Sequence, residues 1–200
     1  MAAISFGGQL AVPSAAVGVV LVARSGPHPA RDALRLQVAD FLHHAGLATL
    51  VAPLAGEEEG SLSLDRAAGR VTSALAWIAA SPRLGGLSIG VLADGPAVGA
   101  VLLAMAYDPE RVSAFVGCGG RPDGAAGALA RVHGPTLLVV GGEDEGGLAA
   151  ARSAVSQLPP HAELAIIDDA IDPLDESEAA GTLAWLSRRW FLSHLTVPVG

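Results

Sequence analysis

Lysine and asparagine are absent from the 200 residues, so every strong base is one of 12 arginines. Both missing amino acids need AT-rich codons, and their joint absence reads as a high-GC coding bias, not as function. Charged residues make up only 16 % of the chain, the formal net charge is −8, and no basic stripe occurs. Nucleic acid and anionic membrane surfaces are therefore excluded as natural partners. A single cysteine, Cys118, rules out an internal disulfide and fits a reducing compartment. No basic segment opens the chain, and the apolar run at 17–23 is too short to cross a bilayer. The expectation is a cytoplasmic protein. The six histidines show no ligand spacing joined to cysteines or carboxylates, so no metal and no cofactor is expected.

What the chain does contain is apolar sequence, 51 % of it, in short unbroken runs. These are VGVVLVA (17–23), LATLVAPL (47–54), LSIGVLA (87–93), VSAFVG (112–117), TLLVVGG (136–142) and ELAIID (163–168). Continuous rather than alternating runs are the mark of strands covered on both faces, as in a parallel sheet. A weaker strand is expected near 4–12, at an edge. Helical patterns fall between the runs. Leu34, Val38, Phe41, Leu42 and Ala45 form one stripe, with Arg31, Arg35 and Asp40 off it. Val71, Leu75 and Ile78 form another; 96–107 is apolar on nearly every face, and 148–158 is shorter. Asp172, Pro173, Asp175 and Glu176 make a helix-entry signature, which places the last helix from Asp172 to about His194. Strict alternation of strand and helix predicts one α/β domain over 1–200: a three-layer sandwich on a mainly parallel sheet of six to seven strands, with little room for a lid domain because the segment 117–135 is short.

Ligands of open parallel sheets bind at the carboxyl ends of the strands. The loops there read ARSGPH, ADGP, GEDEGG and DDAIDP. The stretch 87–123 contains LSIGVLADGPAVGAVLLAMAY and ends in GGRPD at 119–123. PTLLVVGGEDE follows at 135–145 and WLSRRWFLSHL at 185–195. In order and spacing these segments resemble the dienelactone-hydrolase-like branch of the α/β-hydrolase superfamily. Its members read about L-x-I-G-L-F-G-A-S-T-G-A-A-A-A-L, then G-G-R-P-D, then P-T-L-L-I-V-G-G-x-D, then W-F-x-x-H-L. The resemblance runs over nearly the whole chain.

That resemblance implies an ester hydrolase with a nucleophile, a base, an orienting acid and two oxyanion donors. Carried over position by position, the nucleophile falls on Gly95, flanked by Ala93 and Ala97 at the small positions of the elbow. The donor after the nucleophile falls on Pro96, which has no N–H. The second donor falls in the loop with Ser25 and Gly26. The acid falls on Asp144 and the base on Asp172. The resemblance therefore implies a scaffold whose serine, histidine and one oxyanion donor are missing. The reading that follows is a pseudoenzyme that binds a protein partner, forms a homo-oligomer, or holds a small ligand in a remnant pocket bounded by Ser25, Gly26, Asp94, Gly95, Pro96 and Cys118.

Two other readings stand beside it. Cys118 or Ser25 could serve as a relocated nucleophile in an active hydrolase; a small buried thiol is the plainer reading of Cys118. Asp94, Asp144 and Asp172 could converge and hold a cation, whereas separately each reads as a helix cap or a solvated turn residue.

Overall fold

A computed structural model describes residues 8–24, 26, 28–54 and 63–195. Ser25, the acidic stretch GEEEG (56–60) and positions 4–7 of the expected edge strand lie outside the described residues. The strands are β1 (Gln9–Ala11), β2 (Gly18–Arg24), β3 (Leu47–Pro53), β4 (Ile89–Asp94), β5 (Ala114–Cys118), β6 (Thr136–Gly141) and β7 (Ala162–Ile167). The α-helices are α1 (Pro29–His44), α2 (Leu64–Ala80), α3 (Ala97–Tyr107), α4 (Glu145–Val155) and α5 (Ser177–His194).

The strands form one sheet in the order β1-β3-β2-β4-β5-β6-β7. Every pairing is parallel except the edge pair β1–β3, in which Leu10 faces Leu50. The six unbroken apolar runs are thus the six parallel strands, and the weak run is the antiparallel edge. The backbone accounts for this: parallel neighbours need helical crossovers, and those helices bury both faces of the interior strands, while β7 at the edge stays half-exposed.

Two core clusters flank the sheet. One packs β2 and β4 against α2, α3, α4 and the 122–131 segment. The other packs the opposite face against α1 and α5. Helix α3 is buried at every position from Ala97 to Ala106, which explains a sequence with no polar stripe. Helix α1 opens with Pro29 and carries Asp32 in its first turn and His43 and His44 in its last, matching the helix dipole.

Two segments depart from expectation. Pro122–Arg131, read as a short lidless connection, is a 3-10 helix whose Ala125, Ala128 and Leu129 join the first core cluster. The last helix begins at Ser177, not Asp172. Asp172 instead closes a turn: its Oδ1 accepts the Leu174 N–H at 2.9 Å, and its carbonyl accepts the Asp175 N–H at 3.1 Å. That turn buries Leu174 in the second cluster. The described chain is one α/β unit, and no described helix is long and apolar enough to cross a membrane.

Candidate functional site

The central strand β4 ends at Asp94 and passes straight into α3 through Gly95 and Pro96. Gly95 has φ +54°, in the left-handed region that L side chains rarely adopt. Its N–H donates to the Cys118 carbonyl at 3.1 Å and its carbonyl accepts from Val98 N–H at 3.1 Å, so both ends of the turn are fixed. Pro96 follows at φ −60°, ψ −20°, already helical. Its ring removes a backbone N–H from the first turn of the helix. The turn has the sharp strand-to-helix geometry of an elbow, with no side chain at its apex.

Beside it, β5 ends at Cys118, and Gly119 and Gly120 both have positive φ. A Cβ on Gly120 would lie 2.1 Å from the Gly95 carbonyl oxygen, so the two turns approach too closely for a side chain there. On the far side, a Cβ on Gly119 would lie 3.5 Å from Asp172 Oδ2. Gly95 and Asp172 therefore flank one glycine pair. Asp144 stands in the adjacent loop, which is tied to the Asp172 turn through Glu143 N–H and the Ala170 carbonyl at 3.0 Å.

Helix α1 supplies the residues that the sequence reading missed. Arg35 lies on the buried face with Val38, Ala39 and Leu42, and is itself buried. Its Nε donates to Asp94 Oδ1 at 2.9 Å and its Nη2 to Asp94 Oδ2 at 2.5 Å. Its Nη1 donates to Asp32 Oδ1 at 2.6 Å. Burial alone would lower the guanidinium pKa, but the bonds and charges of Asp94 and Asp32 outweigh it and raise the value above the usual range. One turn earlier, Arg31 Nη2 reaches Asp172 Oδ2 at 3.0 Å and Asp175 Oδ1 at 2.9 Å. Two arginines of one helix thus hold the carboxylates at the ends of β4 and of the β7–α5 connection. Helical spacing held the signal for Arg35: it precedes Val38, Ala39 and Leu42 by three, four and seven residues, and a charge on such a face needs a buried partner.

Asp144 caps α4, its Oδ1 accepting the Gly147 N–H at 2.9 Å. It is therefore a structural cap rather than a purely solvated turn residue. Cys118 is buried. Burial pushes its thiol well above the usual range, and the charges of Asp172 and Asp94 push further; Arg31 and Arg35 oppose them. A neutral, enclosed thiol is a poor nucleophile. In the intact GGRPD motif, Arg121 forms a two-pronged pair with Asp123, at 3.0 and 2.7 Å, which holds the Asp123 carboxyl below its usual range. Gly26 occupies a half-buried bend between β2 and α1.

The cation-site reading is corrected. Among the described residues no group of three or more histidines, cysteines, aspartates or glutamates could hold a metal ion. Asp94, Asp144 and Asp172 are each engaged elsewhere: by Arg35, by the α4 N-terminus, and by Arg31.

No family model matches the chain. Among solved structures, the dienelactone hydrolase of Anabaena variabilis is 34 % identical, superposes with a TM-score of 0.89, and is covered over 95 % of its length by 96 % of this chain. A monoacylglycerol lipase of Paleococcus ferrophilus shares the fold at TM-score 0.77 and 13 % identity, over 96 % of this chain and all of that one. Two curated proteins from strains of Mycobacterium tuberculosis, each provisionally named a phosphoribosyl transferase, are 33 % identical over 197 residues. That match takes in 96 % of this chain but 44 % of each relative, so the chain spans less than half their length.

Proposed function

From the premise that the chain belongs to the dienelactone-hydrolase-like branch of the α/β-hydrolase superfamily, we propose that it is a pseudoenzyme of that branch, a module that works by binding rather than by hydrolysis. The observation that carries the reading is the elbow itself. Its backbone keeps the left-handed turn at Gly95, yet offers no nucleophile there and no N–H at Pro96. The base position holds Asp172, whose carboxylate is paired with the permanently charged Arg31.

The losses compound. Removing the nucleophile or the base costs on the order of 10⁶ in a serine protease that runs the same triad chemistry on another fold. Losing one oxyanion donor alone costs roughly 10²–10³. Cys118 does not rescue the chemistry, because its thiol is enclosed and held neutral.

A binding role agrees with the company that such a module keeps. In the two longer relatives a stretch like this chain is joined to a larger remainder. Phosphoribosyl transfer, the activity in their provisional name, falls on this reading to that remainder, with the hydrolase-like module as its attached companion. The natural partner class for this chain is then a protein, met through its surface.

The test is covalent labelling of the folded protein with a serine-directed fluorophosphonate and a thiol-directed probe, read by intact mass. The expected result is no adduct from either. A stoichiometric fluorophosphonate adduct that maps to Ser25, or a fast thiol adduct at Cys118, would replace this reading with an active hydrolase using a relocated nucleophile.

A further inference from the structure

The two edges of the sheet are unequal. Strand β1 has three residues, and Pro13 follows two positions after its end. Strand β7 has six, with no proline and with Glu163 as its one charge. Natural sheets usually blunt an open edge by shortness, proline or charge. By that measure β1 is protected and β7 is nearly bare. Ile166 on β7 is 42 % exposed, and Ile171 just beyond it is 65 % exposed.

The hydrogen bonding fixes which peptide groups of β7 are available. The Ile167 carbonyl accepts from Gly142 N–H at 2.8 Å, so the polar groups of Ile167 face β6. By strand alternation those of Ala165 and Glu163 do too, while Leu164 and Ile166 turn theirs outward. Ala162 also faces outward, but its N–H is already given to the Pro159 carbonyl at 3.0 Å.

We propose that β7 pairs with β7 of a second copy of this chain, antiparallel about a twofold axis at Ala165, so that two seven-stranded sheets join edge to edge. In this register Leu164 of each copy lies opposite Ile166 of the other, and their outward groups exchange both bonds of a hydrogen-bonded pair. The two copies of Ala165 meet at the axis, where opposed strands come closest and a small side chain fits. A register centred on Leu164 would require the Ala162 N–H, which is taken. One centred on Ile166 would set Glu163 opposite Asp169.

Charge placement supports the same arrangement. The acidic turn Asp168–Asp169 falls beside Ala162 and His161 of the second copy, and Glu163 falls opposite Ile167, so no like charges stand directly opposite one another. A parallel pairing would set the two acidic turns side by side. The contact is isologous and closes at two copies, leaving β1 as the outer edge of each half. Because each chain carries −8, the dimer tightens as salt screens the overall repulsion. The pairing stands on strand geometry and holds whether or not the elbow has lost its chemistry.

Sedimentation velocity from low to high micromolar protein, at low and physiological salt, reads the mass directly. The expected species has twice the 20.0 kDa chain mass, with a larger dimer fraction at the higher salt. Ile166→Pro removes an outward N–H that β6 does not use and should leave a folded monomer; Leu10→Pro, on the other edge, should leave the dimer. Amide exchange on the unaltered protein decides the matter if Ile166→Pro fails to fold. Leu164 and Ile166 should exchange slowly only at dimer concentrations, whereas Glu163 and Ala165 exchange slowly at all of them. A species of single-chain mass throughout, a dimer that survives Ile166→Pro, or a dimer with fast Leu164 and Ile166 amides would overturn the proposal.

Discussion

Replacing Asp94 by alanine should cost this fold more than removing almost any other polar side chain. The Arg35 side chain is 5 % exposed and that of Asp94 is 7 % exposed, so both charges sit away from water. Arg35 gives two bonds to Asp94 and one to Asp32. Breaking a buried pair by deleting one partner typically costs about 3–5 kcal/mol, because the surviving charge is left uncompensated. Here Asp32 stays bonded to Arg35 and is 30 % exposed, which favours the lower end, about 3 kcal/mol. For a domain of this size each kcal/mol moves the melting temperature by about 2–4 °C, so the shift should be about 6–12 °C. Urea unfolding followed by far-UV circular dichroism gives the free energy, and a thermal scan gives the shift. The double variant Arg35→Met/Asp94→Leu should recover most of the loss, since apolar replacement of a buried pair is often neutral or stabilising. Asp94→Ala within about 1 kcal/mol of the parent would refute the argument that this pair holds α1 to the end of β4.

Cys118 gives a pH prediction. Its folded pKa is raised by burial, so above the ordinary thiol value of 9.0 the unfolded chain loses a proton that the folded chain keeps. Stability should therefore be unaffected by this group below that value and fall as pH rises beyond it, a slope that Cys118→Ser removes; urea unfolding at pH 8 and 10 checks it. Gly120→Ala should destabilise by roughly 2–5 kcal/mol, combining a left-handed backbone penalty with forced displacement of the elbow, as read from the urea midpoint. Gly95→Ser should fold, because a Cβ there meets no atom within 4 Å, yet melt lower by the equivalent of about 1–2 kcal/mol and hydrolyse no ester. Restoring the serine restores neither the Pro96 donor nor the base.

The sheet was legible because its physics is local. Six unbroken apolar runs read as strands of a covered sheet, although the last of them, β7, is a half-exposed edge, and the uniformly apolar 97–107 segment reads as a buried helix. The 3-10 helix at Pro122–Arg131 was not legible, since PDGAAGALAR is too rich in glycine and alanine to show a period. The start of α5 misled for another reason. Asp172-Pro173 carries a helix-entry signature, but the Asp172 carboxylate is drawn to Arg31, and the following turn buries Leu174 before the helix begins. At the site, the resemblance drew attention to Gly95, Asp144 and Asp172, which stand on neighbouring turns at the ends of β4, β6 and β7. The partners of Asp94 and Asp172 were not legible, because Arg35 lies 59 residues from Asp94 in sequence and pairs across the fold. Reading Arg31 and Arg35 as the polar side of α1 overlooked that a helix lying over strand ends can turn its charged residues inward when carboxylates wait there.

A pseudoenzyme keeps the elbow and loses its catalysis. Turnover of p-nitrophenyl acetate and butyrate by the purified protein, compared with Gly95→Ala and Asp172→Ala, addresses it most directly. The expected result is release at the buffer rate for all three proteins. Protein-dependent turnover that one of these substitutions abolishes would contradict it.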